Sequence, residues 1–116
     1  MKRPLAYITA PWSGDSPENT VNASKYCRAV YEAGYSPICP ILVQTTFLKK
    51  EVAQEYQDGR DMAHELLRRS RILVVCGTKI TDDVQEDIAL AKHLRIAATT
   101  LDGILTVDGE HRGNKK

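Results

Sequence analysis

The chain lacks any long apolar stretch, and it carries almost no excess of either charge. No run of apolar residues approaches the roughly 20 that a membrane-spanning helix needs. Nothing near the amino terminus resembles a secretory signal, since the short apolar run leads into Pro11 and Trp12. The net charge is +1, whereas a nucleic-acid-binding domain usually has a basic excess. We therefore expect a cytoplasmic protein with neither a membrane nor a nucleic-acid polymer as partner.

Residues that would indicate a disulfide framework, a metal site or a cofactor are also scarce. The three cysteines, Cys27, Cys39 and Cys76, are far apart and never form a C-x-x-C pair, which predicts reduced thiols. The three histidines are scattered, and this spacing does not favour a metal site. The glycine-rich signatures of dinucleotide and P-loop sites are absent, as are G-x-S-x-G and H-E-x-x-H. We expect no metal and no cofactor.

What the sequence does contain is an ordinary globular composition, 42% hydrophobic and 27% charged, over 116 residues. Short apolar segments rich in β-forming residues alternate with longer segments of helical spacing. The predicted strands cover residues 5–9, 36–39, 72–76, 96–101 and a further short segment at 104–107. Helices are predicted over residues 17–33 and 52–70, with a third that begins near Asp82; residues 41–49 are predicted as a loop with one helical turn that lines the site.

This alternation predicts right-handed crossovers and a parallel sheet with helices on both faces. We expect an α/β fold, specifically a three-layer α/β/α sandwich of flavodoxin-like or Rossmann-like kind. Its sheet would have four to five strands in the order 2-1-3-4. A single domain would cover residues 1–107, and the polar segment 108–116 would form a flexible tail.

Polar side chains cluster after the first and third predicted strands. Because the carboxyl ends of neighbouring parallel strands meet at one edge of the sheet, both sets should share one pocket. Acidic residues are favoured in the first turn of a helix, which accounts for Asp82 and Asp83 but less well for Asp87, beside the apolar Ile88. The two sets are Tyr7, Thr9, Trp12 and Ser13 around the end of the first strand, and Asp82, Asp83, Glu86 and Asp87 after the third.

Two further features have more than one interpretation. Trp12 could cover a planar ligand or pack in the core, and the sequence leaves both open. Arg68, Arg69 and Arg71 suit the negative end of a helix dipole. As a nucleic-acid footprint they are weak, because no aromatic residue accompanies them.

Two stretches resemble the nucleoside 2-deoxyribosyltransferase-like superfamily, and in particular an uncharacterised bacterial and phage branch of it. The first is AYITAPWSGD at residues 6–15, followed by Glu18 and Asn19. The second is ILVVCG at residues 72–77 together with DIALA at residues 87–91. That branch also shares residues 59–67 and 91–94, so the similarity covers residues 5–100.

The resemblance implies a carboxylate nucleophile that attacks the anomeric carbon of a deoxynucleoside and releases the base, in the manner of a retaining glycosidase. By position the nucleophile falls on Asp87, with Glu86 directly before it and Tyr7 as the residue that orients the carboxylate. Aspartate is one methylene shorter than the family's glutamate, and Ala63 stands where the transferases have a base-recognising aspartate. The implied substrate contacts are Asp82, Asp83, Trp12, Thr9, Ser13 and Gln44.

Three functions follow as alternatives. The chain is a nucleoside or nucleotide N-glycosidic-bond hydrolase or deoxyribosyltransferase, a catalytically inactive protein that captures a nucleotide or nucleotide-derived signal, or a scaffold whose acidic residues only cap a helix. The shortened carboxylate and Ala63 favour the second, so the sequence leaves open whether the chain is an enzyme. The resemblance also implies a homodimer or a higher homo-oligomer.

Overall fold

Strands and helices alternate along the part of the chain that the computed structural model describes, residues 2–14 and 16–104. A helical turn over residues 101–104 follows the last strand. In chain order the elements are β1 (Leu5–Thr9), α1 (Pro17–Glu32), β2 (Ser36–Ile38), α2 (Pro40–Gln44), α3 (Ala53–Arg68), β3 (Ile72–Val75), α4 (Asp82–His93) and β4 (Ala97–Thr100).

The strands form one sheet in the order β2-β1-β3-β4, and every neighbouring pair is parallel. Helices flank this sheet. The predicted α/β fold and the predicted strand order are therefore confirmed. The reason is that each parallel connection needs a crossover, and the helical segments between the strands are long enough to supply it.

The strand predicted over residues 104–107 is wrong at Ile104, the residue of this segment that the structure describes. Ile104 lies in the helical turn 101–104 and is 5% exposed. The turn begins as it does because the Thr100 hydroxyl accepts a hydrogen bond from the Gly103 backbone N–H at 3.0 Å. Residues 105–107 and the predicted tail 108–116 lie outside the described residues.

The side chains of β1 and β3 alternate between two sheet faces, as the pleat requires. We call these the α1 face and the α3/α4 face after the helices that cover them. Each face has its own buried core. The α1 face buries Ala6, Ile8, Ala23, Val30, Cys39, Val74, Cys76 and Ile104, and the α3/α4 face buries Tyr7, Ala63, Leu67, Leu73 and Ala91.

The cysteines, distant in sequence, meet on the α1 face. Cys39 and Cys76 are buried in its core, and Cys27 on α1 packs against them; all are free thiols. A hydrogen bond from the Cys39 thiol lowers the pKa of Cys27 to about 7, which burial only partly opposes. Burial raises the pKa of Cys76 to about 12. Of the three thiols on the α1 face, Cys27 is therefore the one whose pKa is lowered, whereas those of Cys39 and Cys76 are raised.

Among the described residues, no helix is both long and apolar enough to cross a membrane.

Candidate functional site

The loops that follow β1 and β3 touch each other at the carboxyl edge of the sheet. Gly77 has a φ of +86°, and a Cβ built on it would lie 2.7 Å from Cδ of Pro11. Only glycine combines that backbone conformation with so close an approach. The neighbouring positions of β1 and β3 therefore bring the two predicted sets of polar residues to one place.

A cavity of about 370 Å³ opens between these loops and α2, α3 and the start of α4. That volume lies within the range of small-molecule sites. Its lining mixes apolar and aromatic side chains with carboxylates and a few cations. Of the residues predicted for the site, those that line it are Tyr7, Thr9, Trp12, Gln44, Asp82, Asp83 and Asp87.

Two of the predicted site residues, Ser13 and Glu86, do not line the cavity. The backbone of Ser13 is held by the Asn19 side chain, which donates to its carbonyl at 3.0 Å and accepts from its N–H at 3.5 Å. The Glu86 side chain is 55% exposed, on a different side of α4, and accepts from Arg60 at 3.2 Å. Glu86 thus helps to hold Arg60, whereas Ser13 is held by α1, and contact of either residue with a ligand stays a prediction.

Asp87 is the most buried charged residue of the site, with 2% of its surface exposed. Thr9 lies on the α3/α4 face of β1, and its hydroxyl donates to Oδ2 of Asp87 at 2.7 Å. Nη2 of Arg60 donates to Oδ1 at 2.8 Å, and Nε2 of His64 lies 3.3 Å from the same oxygen. Both carboxylate oxygens are consequently engaged by protein groups.

Arg60, from the middle of α3, connects the acidic residues of α4. Beyond Asp87 and Glu86, its Nη2 donates to the backbone carbonyl of Asp83 at 3.2 Å, and its Nε lies 3.9 Å from Oδ1 of Asp83. Burial works against the charged form, but the carboxylates of Asp87, Asp83 and Glu86 outweigh it and raise the pKa of Arg60. Nε is buried without a hydrogen-bond partner. The guanidinium is therefore a permanent cation held among carboxylates.

Two tyrosine phenols face these carboxylates. Burial, reinforced by the charge of Asp87, raises the pKa of Tyr7 far above its usual value. Tyr56 donates from its hydroxyl to Oδ1 of Asp83, and that hydrogen bond, with burial, raises the pKa of Tyr56 to about 12. Both phenols remain protonated at neutral pH and can act as donors.

The far wall of the cavity is tied together by Gln44 and Gly59. Nε2 of Gln44 donates to the carbonyl of Gly59 at 3.0 Å, which fixes α2 against α3. A Cβ on Gly59 would come within 2.9 Å of Oε1 of Gln44 and 3.2 Å of Cδ1 of Leu48. Glycine at this buried position of a helix lets the α2 segment approach closely and shapes the cavity.

The cavity rim carries charges that the protein leaves more accessible. Asp82 is exposed at the start of α4, where Thr81 caps the helix by accepting from the N–H of Val84 at 3.3 Å. Nζ of Lys50 lies 5.9 Å from the ring centroid of Tyr56. The cavity thus offers the carboxylates of Asp82 and Asp83 as acceptors for ligand hydroxyls, and the aromatic side chains of its lining as an apolar surface for a ring. In the described part of the chain, no cluster of histidine, cysteine and acidic residues is placed to hold a metal ion.

Arg60, His64 and Tyr56 were not among the residues predicted for the site. They lie 27, 23 and 27 positions before the carboxylates that they contact, Asp87 and Asp83, so no local motif links them. A weak signal does exist, because the buried stripe Gly59, Ala63 and Leu67 places Arg60 and His64 beside it on α3. An arginine so close to a buried stripe needs a carboxylate partner.

The fold and the site together define a parallel α/β domain with a carboxylate-lined cavity at the carboxyl edge of its sheet. A family model described as "Domain of unknown function (DUF7768)" matches residues 4–101 of the chain. The chain therefore belongs to that family. No curated protein matches it.

Proposed function

We propose that the chain binds a nucleoside or nucleotide in this cavity and does not cleave it. The observation that carries this proposal is the state of Asp87, the position at which the resemblance to nucleoside 2-deoxyribosyltransferases implies the nucleophile. It is 2% exposed, and Thr9 and Arg60 occupy its two oxygens.

A carboxylate nucleophile must direct a free lone pair at the anomeric carbon from within van der Waals reach. Asp87 has no oxygen without a protein donor, and its side chain is one methylene shorter than a glutamate. Misplacement by about 1 Å can cost on the order of 100-fold in rate. The site is therefore better suited to holding a ligand than to attacking it.

The cavity chemistry supports the ligand class. Asp82 and Asp83 can accept hydrogen bonds from sugar hydroxyls, and Trp12 offers a surface on which a base can stack. Lys50 supplies a cation for a phosphate group, if the ligand has one. The similarity to the nucleoside 2-deoxyribosyltransferase-like superfamily over residues 5–100 favours the same class of ligand.

A second candidate is N-glycosidic-bond hydrolysis or deoxyribosyl transfer through Asp87. It is favoured by the position of Asp87 in the cavity lining beside Tyr7, whose phenol stays protonated. Release of Oδ1 by Arg60 on ligand binding would free this oxygen to attack the anomeric carbon. Glu86 is a poor substitute because its side chain lies outside the cavity lining.

The two candidates separate in one experiment. The protein is incubated with a panel of deoxynucleosides and their 5′-monophosphates; free base is followed by chromatography and stability by thermal shift. The binding proposal predicts stabilisation without free base, about 2.7 kcal/mol at a ligand concentration 100 times the dissociation constant. Free base that disappears in Asp87→Asn would establish the second candidate instead.

Matched variants test whether the cavity is responsible. Asp82→Asn, at the rim, should weaken the thermal shift, whereas Asp58→Asn, exposed on the outer side of α3, should leave it unchanged. The absence of both a thermal shift and free base across the panel would reject both candidates and favour a scaffold role.

The resemblance also supports a homodimer or higher oligomer, and the cytoplasmic location expected from the sequence is proposed with it. Light scattering of the purified protein tests the first point, and fractionation of cells that express it tests the second. A monomer at all concentrations would contradict the proposed assembly.

A further inference from the structure

The edge of the sheet opposite the cavity carries a set of exposed cations. Because all strands are parallel, the residues that precede the strands and the ends of the helices meet there. We call this surface the basic edge and define it as the exposed residues Lys2, Arg68, Arg69, Arg71, Lys92 and Arg95.

The sheet register brings members of the basic edge onto neighbouring strands. Ala6 pairs with Ile72, and Ile72 pairs with Ala97. Arg71 directly precedes this row, where its backbone N–H donates to the carbonyl of Leu5 at 2.8 Å, and Arg95 stands two positions before Ala97. Adjacent strands are about 4.8 Å apart, so Arg71 and Arg95 lie just before the starts of two adjacent strands, at the same edge of the sheet.

Few carboxylates neutralise the basic edge. Glu65 lies 3.6 Å from Nε of Arg68 and 4.0 Å from Nη2 of Arg69, and all these side chains are at least half exposed. In the described ranges, Arg71 and Arg95 have no carboxylate within salt-bridge distance. The exposed charge of this surface is therefore largely uncompensated.

Helix dipoles explain only part of the pattern. Arg68 and Lys92 lie in the last turns of α3 and α4, where a cation is favourable. Lys2 precedes β1, so that explanation does not apply to it. Because α3 ends at Arg68 and not at residue 70 as predicted, Arg71 also lies beyond the turn in which the dipole acts. The overall charge of +1 conceals this edge in part because four carboxylates, those of Glu55, Asp82, Asp83 and Asp87, line the cavity at the other end of the strands.

Arg95 supplies an independent observation. It follows the C-cap residue Leu94 of α4 and has a φ of +60°. Glycine is the usual residue at this left-handed position, because a side chain there is strained. Arg95 is thus an exposed cation at a position where glycine would fold at least as well.

We propose that the basic edge binds the phosphate backbone of a nucleic acid, without reading its sequence. This function is separate from the cavity and does not depend on what the cavity binds. It reverses the expectation from net charge alone, because a segregated basic surface steers a polyanion even when the whole chain is nearly neutral. The interaction is electrostatic, so salt should weaken it strongly.

The test is fluorescence anisotropy with labelled single-stranded DNA, single-stranded RNA and duplex DNA of mixed sequence, over a series of salt concentrations. We expect binding at low salt. The logarithm of the association constant should fall linearly with the logarithm of the salt concentration, with a slope of about −0.9 for each phosphate neutralised on duplex DNA. The probe that binds with the highest affinity identifies the kind of nucleic acid that the basic edge prefers. Absence of binding to all three at low salt would overturn the proposal.

Variants locate the surface. Arg71→Gln and Arg95→Gly should each lower affinity several-fold and reduce the salt slope by about 1. Arg95→Gly should also keep or raise the melting temperature, which excludes misfolding as the cause. The control Lys79→Gln removes an exposed cation from the loop after β3, at the cavity end, and should change nothing. An equal loss in the control, or competition by polyglutamate as strong as by unlabelled nucleic acid, would contradict the assignment.

Discussion

The two faces of the sheet are buried by different means. On the α1 face the core is apolar side chains and thiols throughout. On the α3/α4 face the core is apolar around Leu67 and Leu73, but at its carboxyl end it encloses Thr9 and Asp87, with Arg60 beside them. Desolvating two charges usually cancels what their attraction contributes, so apolar packing would stabilise this end equally well. The difference indicates that the polar end is maintained for a site, and that the α1 face supports it.

The largest effect should come from removing Asp87. The Asp87→Ala variant leaves the largely buried guanidinium of Arg60 without its closest partner, and we expect a loss of about 3–5 kcal/mol in the free energy of unfolding. Ile8→Val, equally buried on the α1 face, should cost only about 0.5–1.5 kcal/mol. Urea unfolding measures both.

A double replacement sharpens the comparison. Arg60→Met with Asp87→Leu makes the polar end apolar, like the α1 face, and should recover most of the stability that Asp87→Ala loses. The same double variant should lose any thermal shift with ligand. A double variant as unstable as the single one would show that the pair itself is needed for folding.

Removal of the Thr9 hydroxyl should have an intermediate effect. Thr9→Val keeps the shape of the side chain but takes away the donor to Oδ2 of Asp87, and a hydrogen bond to a charged group contributes about 1.5–3 kcal/mol. Thr9→Ser retains the hydroxyl and should recover most of this loss. Equal stability of the valine variant and the native protein would contradict the polar account of this end.

Two glycines separate the effect of the contact between the loops after β1 and β3 from the effect of backbone strain: Gly77 has both, and Gly14 has only the strained φ. Gly77→Ala should cost about 1–3 kcal/mol, because it combines a left-handed φ with a clash against Pro11. Gly14→Ala has a φ of +57° but meets nothing within 4 Å, so it should cost less. The difference in melting temperature between the two variants reports the loop contact, and no difference would argue against it.

The smallest effect concerns the α1 face and should leave stability nearly unchanged. Because the pKa of Cys27 is lowered to about 7, its thiolate predominates above that pH and is protonated below it. The rate of alkylation of Cys27 by iodoacetamide, followed by mass spectrometry, should therefore rise with pH and reach half of its maximum near pH 7. Cys39→Ala removes the thiol that donates to Cys27, so the pH at which alkylation is half-maximal should move upward. If that pH is unchanged, Cys39 does not lower the pKa of Cys27.

Much of this arrangement is predictable from the order of the segments. The alternation of strands and helices predicts the parallel sheet. Thr9 ends one strand and Asp87 lies in the helix that follows the neighbouring strand, which places both at the carboxyl edge of the sheet. Arg60 was only weakly predictable from its place beside the buried stripe of α3, because an arginine in a helix is usually solvated. The three-dimensional packing of α3 on α4 is what shows its carboxylate partners. The helical turn at Ile104 was missed because its apolar residues are too few to distinguish a strand from one turn of helix.

The most direct test of the central claim uses Trp12, the single tryptophan of the chain, which lines the cavity. Its fluorescence is followed while deoxynucleosides or their 5′-monophosphates are titrated into the native protein. If the cavity binds this class of ligand, at least one compound will produce a saturable change that Asp82→Asn weakens and Asp58→Asn does not. Unchanged Trp12 fluorescence with every compound, at concentrations up to their solubility, would contradict the account.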